Sequence, residues 1–275
     1  MVVSWFSAGV SSAVATKIAL SKYPGMKIIY THINDQHPDT LRFLHDCEVW
    51  FGAPVEILQG KYKTVEQACL AFGRGYLVGP AGANCTRLLK RRVRHDWESA
   101  NPGRHTYIWG MDFEEKKRMD GPHGIVASNP EQNHEAPLIE NNLTKKEVHG
   151  MIREAGIKRP VMYDLGYPNN NCIGCIKGGI GYWNKIRVDF PDVFESRAKL
   201  ERKIGAYCLH DKNGALWLDE LDPQRGRDLE IIVPDCGLFC EIPIKQEREN
   251  LQHATTAILA PGASPVAQTG VPASA

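Results

Sequence analysis

The sequence predicts an α/β fold built on a doubly wound parallel sheet, with a small cysteine-containing subdomain of helices and short strands after it. Three observations predict it. Short apolar runs alternate with helical segments through the N-terminal part of the chain. The spacings between those runs suit helical crossovers joining parallel strands. A Ser/Gly-rich turn follows the first run and polar loops follow the second and fourth, at the edge where open α/β sheets bind ligands.

Each element follows from its own residues. Residues 1–6, MVVSWF, fit a short buried strand, and 11–21 fit a helix with Val14, Ile18 and Ser21 along one side. KIIYTHI at 27–33 is a second strand, followed by a helix over 38–51 with Leu41, Leu44 and Val49 as apolar anchors and Gly52 after it. PVEIL at 54–58 is a third strand and HTYIWGM at 105–111 a fourth. The alternation stops after EAPLI at 135–139, which places a boundary near 140 between a domain over 1–140 and a subdomain over 141–245. Thr144-x-x-Glu147 is a capping-box pattern, and Val148, Ile152 and Ala155 share one face of the helix it opens. A Pro/Asn/Cys/Gly-rich loop at 166–181, a helix near 190–205 and a β-rich segment over 206–244 follow. Residues 246–275 read as a flexible tail, because from His253 onward the chain has no Asp, Glu, Lys or Arg and is rich in Ala, Pro, Gly, Ser and Thr.

Composition narrows the function classes. The chain has 275 residues, 43% hydrophobic and 24% charged, with net charge +1 and pI ≈ 7.6. That balance argues against a dedicated nucleic-acid coat and leaves room for a local basic patch. No apolar run reaches the roughly 18 residues of a membrane span. The N-terminus carries neither the basic segment nor the cleavage site of a signal peptide, so a cytoplasmic protein is expected. In that compartment eight cysteines point to metal or redox chemistry rather than to a disulfide framework.

Ser7-Ala8-Gly9-Val10-Ser11-Ser12 lies between the first strand and helix. Gly9 lets the backbone approach an anion, the first amides of the helix point at it, and Ser7, Ser11 and Ser12 add hydroxyls. The same residues also suit a plain helix cap. It is not a Walker loop, which would end in Gly-Lys-Ser/Thr. Within NCTRLLKRRVRHDW, Arg87, Lys90, Arg91 and Arg94 recur at helical spacing beside an apolar stripe of Leu89, Val93 and Trp97. One face would pack and the other present cations to a sulfonucleotide, a triphosphate or a nucleic-acid backbone over 87–94, or simply to solvent. Cys172 and Cys175 form a C-x-x-C pair in a loop, which fits one metal centre, a redox disulfide, or two unrelated thiols. Cys47, Cys69 and Cys208 suit apolar filling.

Together these stretches resemble the phosphoadenosine-phosphosulfate (PAPS) reductase-like family of the adenine-nucleotide α-hydrolase-like superfamily, whose Rossmann-like (HUP-type) fold carries a PP-loop, Ser-x-Gly-x-x-Ser. Ala8 stands where the usual ATP-cleaving form has Gly, and Ser11 where it has Asp. HINDQHPDT (32–40) is similar to the family's segment after strand two, which implies Asn34 and Asp35 at the nucleotide; Asp39-Thr40 also suits a plain helix cap. NCTR…KR resembles the Cys-x-Arg-x-x-Lys segment, implying nucleotide contacts for Arg87 and Arg91 and a catalytic role for Lys90. WGMDFEEKKR (109–118) is similar to the stretch after strand four, with Glu115 and Arg118 at the matching positions. GY…C-x-x-C, carried by Gly166, Tyr167, Cys172 and Cys175, resembles the iron–sulfur region of adenylylsulfate (APS) reductases, in which Cys85 matches one of an adjacent Cys-Cys pair. Cys236-Gly237-Leu238 resembles the reductases' tail, whose cysteine attacks sulfate sulfur, with Asp235 for Glu, Phe239 for His, and Cys240 as a second thiol.

The resemblance implies an enzyme with an adenine nucleotide (ATP, APS or PAPS) as ligand, and the two close thiol pairs, Cys172/Cys175 and Cys236/Cys240, suit a [4Fe–4S] cluster or zinc, with Cys85 in reserve. Mg²⁺ goes with the ATP version. Cys236 is a nucleophile or a ligand. The reaction is sulfonucleotide reduction with release of sulfite, served by a thioredoxin-like thiol donor. The alternative is ATP-dependent sulfur transfer, with AMP and pyrophosphate leaving, to a nucleic acid or a small molecule. A metal-stabilised nucleic-acid-binding module with a degenerate nucleotide site is the expectation from another class.

Overall fold

A computed structural model describes residues 1–71, 77–79, 82–227, 229 and 232–234. Met1–Cys236 forms one compact unit. In chain order its elements begin with β1 (Val2–Trp5), α1 (Val10–Lys22), β2 (Lys27–Thr31), α2 (Asp39–Phe51), β3 (Glu56–Leu58) and α3 (Val65–Cys69). The short strands β4 (Val78–Gly79) and β5 (Gly82–Ala83) pair with each other, and a π-helix over Thr86–Arg91 runs into α4 (Arg92–Ala100). Then come β6 (Thr106–Ile108), α5 (Lys116–Asp120), α6 (Ile125–Ser128), β7 (Asn133–Glu135), α7 (Pro137–Glu140), α8 (Lys145–Glu154) and α9 (Val161–Asp164). The described part closes with α10 (Ile180–Asp189), α11 (Pro191–Ile204) and the hairpin of β8 (Leu209–Asp211) and β9 (Gly214–Leu216).

The expected fold class is observed. A five-stranded sheet has the order β3-β2-β1-β6-β7, and every neighbouring pair in it is parallel. Strand order reverses between β1 and β6, so the loops leaving their carboxyl ends open a crevice. β1 and β6 are central and lie between helices, hence fully buried Val3 and Tyr107 rather than a one-sided alternation. α1 is buried almost all round, at Val10, Ala13, Val14, Ala15, Thr16 and Ala19, and these small side chains let neighbouring elements approach closely. A buried bond between the Ser4 and Thr16 hydroxyls, 2.7 Å, joins β1 to α1.

Several expectations need correction. Ser21 is exposed on α1. On α2 the core face is Phe43, Leu44, Cys47 and Phe51, while Leu41 and Val49 are exposed, so of the three expected anchors only Leu44 packs into the core. The chain from Thr86 is a π-helix before it becomes α-helical, which alters the angular spacing assumed for its cations. Strand β7 and helix α10 were not anticipated. The capping box at Thr144 and Glu147 is present: Glu147 Oε2 accepts from the Thr144 amide at 2.8 Å, and Thr144 Oγ1 from the Glu147 amide at 3.4 Å. Val148 and Ile152 are buried as the α8 pattern predicts. Among the described residues, no helix is long and apolar enough to cross a membrane.

A candidate anion site at the strand switch point

The loop after β1 is held by its own residues. Ala8 has a left-handed backbone, φ 55, and its carbonyl accepts from Asn170 Nδ2 at 2.7 Å. The Ser12 hydroxyl turns inward: it donates to Gly9 O at 2.8 Å and accepts from the amides of Ser7 and Gly9, each at 3.2 Å. Gly9 is therefore the N-cap of α1, closed by the hydroxyl of Ser12 at the third helical position, and Ser7, Gly9 and Ser11 form the outer rim. Cap and anion rim are two faces of one turn.

That rim bounds a cleft of about 100 Å³. Its opposite wall comes from the loop after β6, through Gly110, Asp112 and Glu115. A side chain at Gly110 would place Cβ 2.6 Å from Ser12 N, so only glycine allows the two loops to touch. Asp112 is buried, and that burial pushes its carboxyl up, with Lys145 opposing and Glu114 reinforcing. Lys145 is in turn lowered by burial and tied to Asn169 Oδ1 at 2.9 Å. The remaining lining is Gln36, Lys90, Tyr163, Asn169–Asn171 and Cys172.

Of the residues singled out in the sequence, Ser7, Gly9, Ser11, Ser12, Lys90, Glu115 and Cys172 meet at this cleft. The others stand elsewhere. Asp35 is committed to a buried ion pair with Arg197 and caps α3 through Val65 N at 2.8 Å. Asn34 accepts from Gln59 Nε2 at 2.8 Å, and Arg87 donates to Asn84 Oδ1 at 3.1 Å. Arg91 is exposed, and Arg118 is ion-paired with Glu115 outside the lining. Arg94 is half-buried, bonded to Asn129 Oδ1 at 2.7 Å and paired with Glu98 at 3.4 Å. The expected four-cation face thus contributes Lys90 to the cleft. Its packing stripe, Leu89, Val93 and Trp97, is buried as predicted.

The C-x-x-C turn is held from both sides. Tyr182 Oη accepts from Cys175 N at 2.9 Å and donates to Cys172 O at 3.2 Å, while Arg197 Nε donates to Gly174 O at 3.3 Å. Cys85, Cys172 and Cys175 sense one another electrostatically, and burial pushes the Cys172 thiol up to about 12, with Lys90 pulling the other way. Among the described residues no three His, Cys, Asp or Glu side chains are grouped to hold a metal ion. Cys236 and Cys240 lie outside the described residues. The cysteines that are described do not by themselves fit a zinc or iron–sulfur site. Cys47 and Cys69 are buried in apolar clusters, and Cys208 packs against two of them, as expected of fillers.

Sequence reasoning missed Gln36, Gly110, Asp112, Tyr163 and the Asn169–Asn171 run. A usable signal was the triple Asn ahead of Cys172, since consecutive amide side chains in a loop need partners.

No family model matches the chain, and no curated protein does. Among solved structures it is similar to phosphoadenylyl-sulfate (PAPS) reductase from Candida auris in a phosphate complex, at 15% identity over 60% of this chain and 78% of that one, with a TM-score of 0.43. A likeness of that size carries no argument about the cleft, whose reading rests on its own geometry.

Proposed function

We propose that the chain is a PP-loop enzyme that binds an adenine nucleotide through its phosphate or sulfate groups and carries out sulfur chemistry, the reduction of a sulfonucleotide with release of sulfite. The observation that supports this is the composition of one cleft: an anion loop at the strand switch point, the Lys90 ammonium, and a thiol, Cys172. Backbone amides and a cation stabilise the oxyanion that leaves, and the motif's resemblance supplies the adenine.

In this reading a cysteine thiolate attacks the sulfuryl sulfur. A sulfur–sulfur bond forms, the sulfur–oxygen bond to the nucleotide phosphate breaks, and the electron pair departs on that phosphate. A second thiol then attacks the cysteine sulfur, closing a disulfide and expelling sulfite, and an external dithiol of thioredoxin type restores both thiols. Cys236 is the proposed attacking residue. Lys90 holds the departing phosphate.

A second reading, ATP-dependent sulfur transfer, is supported by Asp112 and Glu115, two acidic side chains that line the cleft. Released from Arg118, Glu115 would join Asp112 in holding Mg²⁺ against the nucleotide phosphates, and the ion's charge would favour the ionised form of Asp112. Titration calorimetry with PAPS, APS and Mg-ATP separates the readings. Lys90→Ala is expected to raise the dissociation constant of the bound nucleotide about tenfold. Gly9→Val, whose Cβ would stand 3.3 Å from Tyr163 Oη, should weaken binding more than folding. Unchanged affinities in both variants would overturn the proposal, and sulfite release from PAPS with a dithiol would distinguish reduction from transfer.

A further inference from the structure

Tyr163, on α9, reaches the anion loop from the far side of the chain. The Val10 amide donates to its hydroxyl oxygen at 3.3 Å. The Asn170 backbone also favours the ionised phenol, and both amides pull against the burial that pushes it up. The side chain is 3% exposed yet lines the cleft, and His149 packs against its ring at 4.6 Å, nearly perpendicular. The ring is therefore fixed.

A phenol has one proton and two acceptor lone pairs. Here the Val10 amide occupies the acceptor side, and the Asn170 backbone acts on the same oxygen. The proton has no acceptor among the described residues, and the hydroxyl stands beside Val10 N and Gly9, on the loop that bounds the cleft. Leaving a buried donor unmatched is unfavourable, and an oxyanion oxygen in the cleft would match it. The amides hold the oxygen in place and leave the proton free to point at that oxyanion.

We infer that Tyr163 is a direct hydrogen-bond donor to the tetrahedral oxyanion, phosphoryl or sulfuryl, bound at the Ser7–Ser12 loop. This rests on the anion-binding reading above. It makes Tyr163 a binding residue drawn from beyond the boundary expected near 140, so the site draws on both parts of the chain. Asn170 serves it indirectly, because its amide nitrogen fixes Ala8 O while its backbone faces the phenol.

The test uses the full chain, calorimetry with PAPS, ATP and inorganic phosphate, and two replacements. Tyr163→Phe keeps the ring and should raise the dissociation constant of the anion that binds by about tenfold or more. 3-Fluorotyrosine at position 163 acidifies the phenol, which makes it a stronger donor and a weaker acceptor, so binding should tighten severalfold. If Tyr163 only buttresses the loop as an acceptor, fluorination weakens binding, and the inference is overturned. Wild-type affinity in both replacements overturns it too, while the cleft reading stands. If the wild type binds none of the three probes, the cleft reading fails and this inference falls with it. Should Tyr163→Phe fail to fold, the sign of the fluorotyrosine effect decides alone.

Discussion

His149 stands behind Tyr163 and is 2% exposed. Its Nδ1 lies 3.5 Å from an Arg159 nitrogen, and its Nε2 has no hydrogen-bond partner among the described residues. Burial first, then the positive charges of Arg159 and Lys145, push its pKa down to about 3, with Asp164 opposing weakly. The unfolded chain takes up this proton near the ordinary value, 6.5, and the folded chain does not. Stability is therefore complete above that value and lost as pH falls toward 3, at up to about 1.4 kcal/mol per pH unit from this one group. Urea unfolding should show the midpoint falling between pH 6.5 and 5 in the wild type. His149→Phe keeps a ring against Tyr163 and should flatten that part of the curve. An equally steep curve in the variant would show that the proton goes elsewhere.

Among elements, the contact of the β6 loop with the start of α1 decides whether the cleft exists. Gly110→Ala forces Cβ to 2.7 Å from Ser12 Cβ and closer still to its backbone, where no rotamer change relieves the clash. The loops must separate, at a cost of about 3 kcal/mol, and nucleotide affinity should fall with them. Unchanged urea midpoint and unchanged calorimetric binding would show that the loops separate without consequence. Gly110 is unremarkable in the sequence, since only the partner loop reveals what its missing side chain permits. The same distinction explains what was legible. β1, β2, β3 and β6 carry apolar or β-branched residues and were readable. β7 is Asn-His-Glu, an edge strand whose side chains serve Trp109, Lys22 and Tyr23 rather than a core, so it shows no apolar pattern. The anion loop was readable because its chemistry is local. Tyr163, Gln36 and Asp112 were not, because their relation to the loop exists only through tertiary contact. The π-helical turn shifted the cations, because an i, i+3, i+4 pattern presumes a regular α-helix.

At the scale of the molecule, residues from 158 onward are fastened onto α2 and the loops after β1 and β2. Asp39 accepts from Val161 N at 2.8 Å, Arg42 reaches the carbonyls of Lys158 and Arg159 at 2.9 and 3.1 Å, and Ile173 N donates to Asp35 O at 2.8 Å. The buried centre of this seam is Arg197, which pairs with Asp35 and holds Gly174 O inside the C-x-x-C turn. The same guanidinium therefore fixes the strand-two loop and the cysteine loop whose Cys172 lines the cleft. Removing it leaves the Asp35 carboxylate, 12% exposed, without its cation. A buried charge stripped of its partner costs about 3–5 kcal/mol, far more than the pair contributes on balance. Arg197→Met should accordingly lower the urea midpoint, and adding Asp35→Asn should restore part of the loss because the unpaired charge is gone. Native-state alkylation mapped by mass spectrometry should meanwhile show Cys172 and Cys175 reacting faster in the single variant. Cys47, in the core beside α1, should react no faster, because the seam and not the sheet has opened. A loss below about 1 kcal/mol, the range of surface pairs, with unchanged alkylation at Cys172, would show that the cysteine loop is held without Arg197.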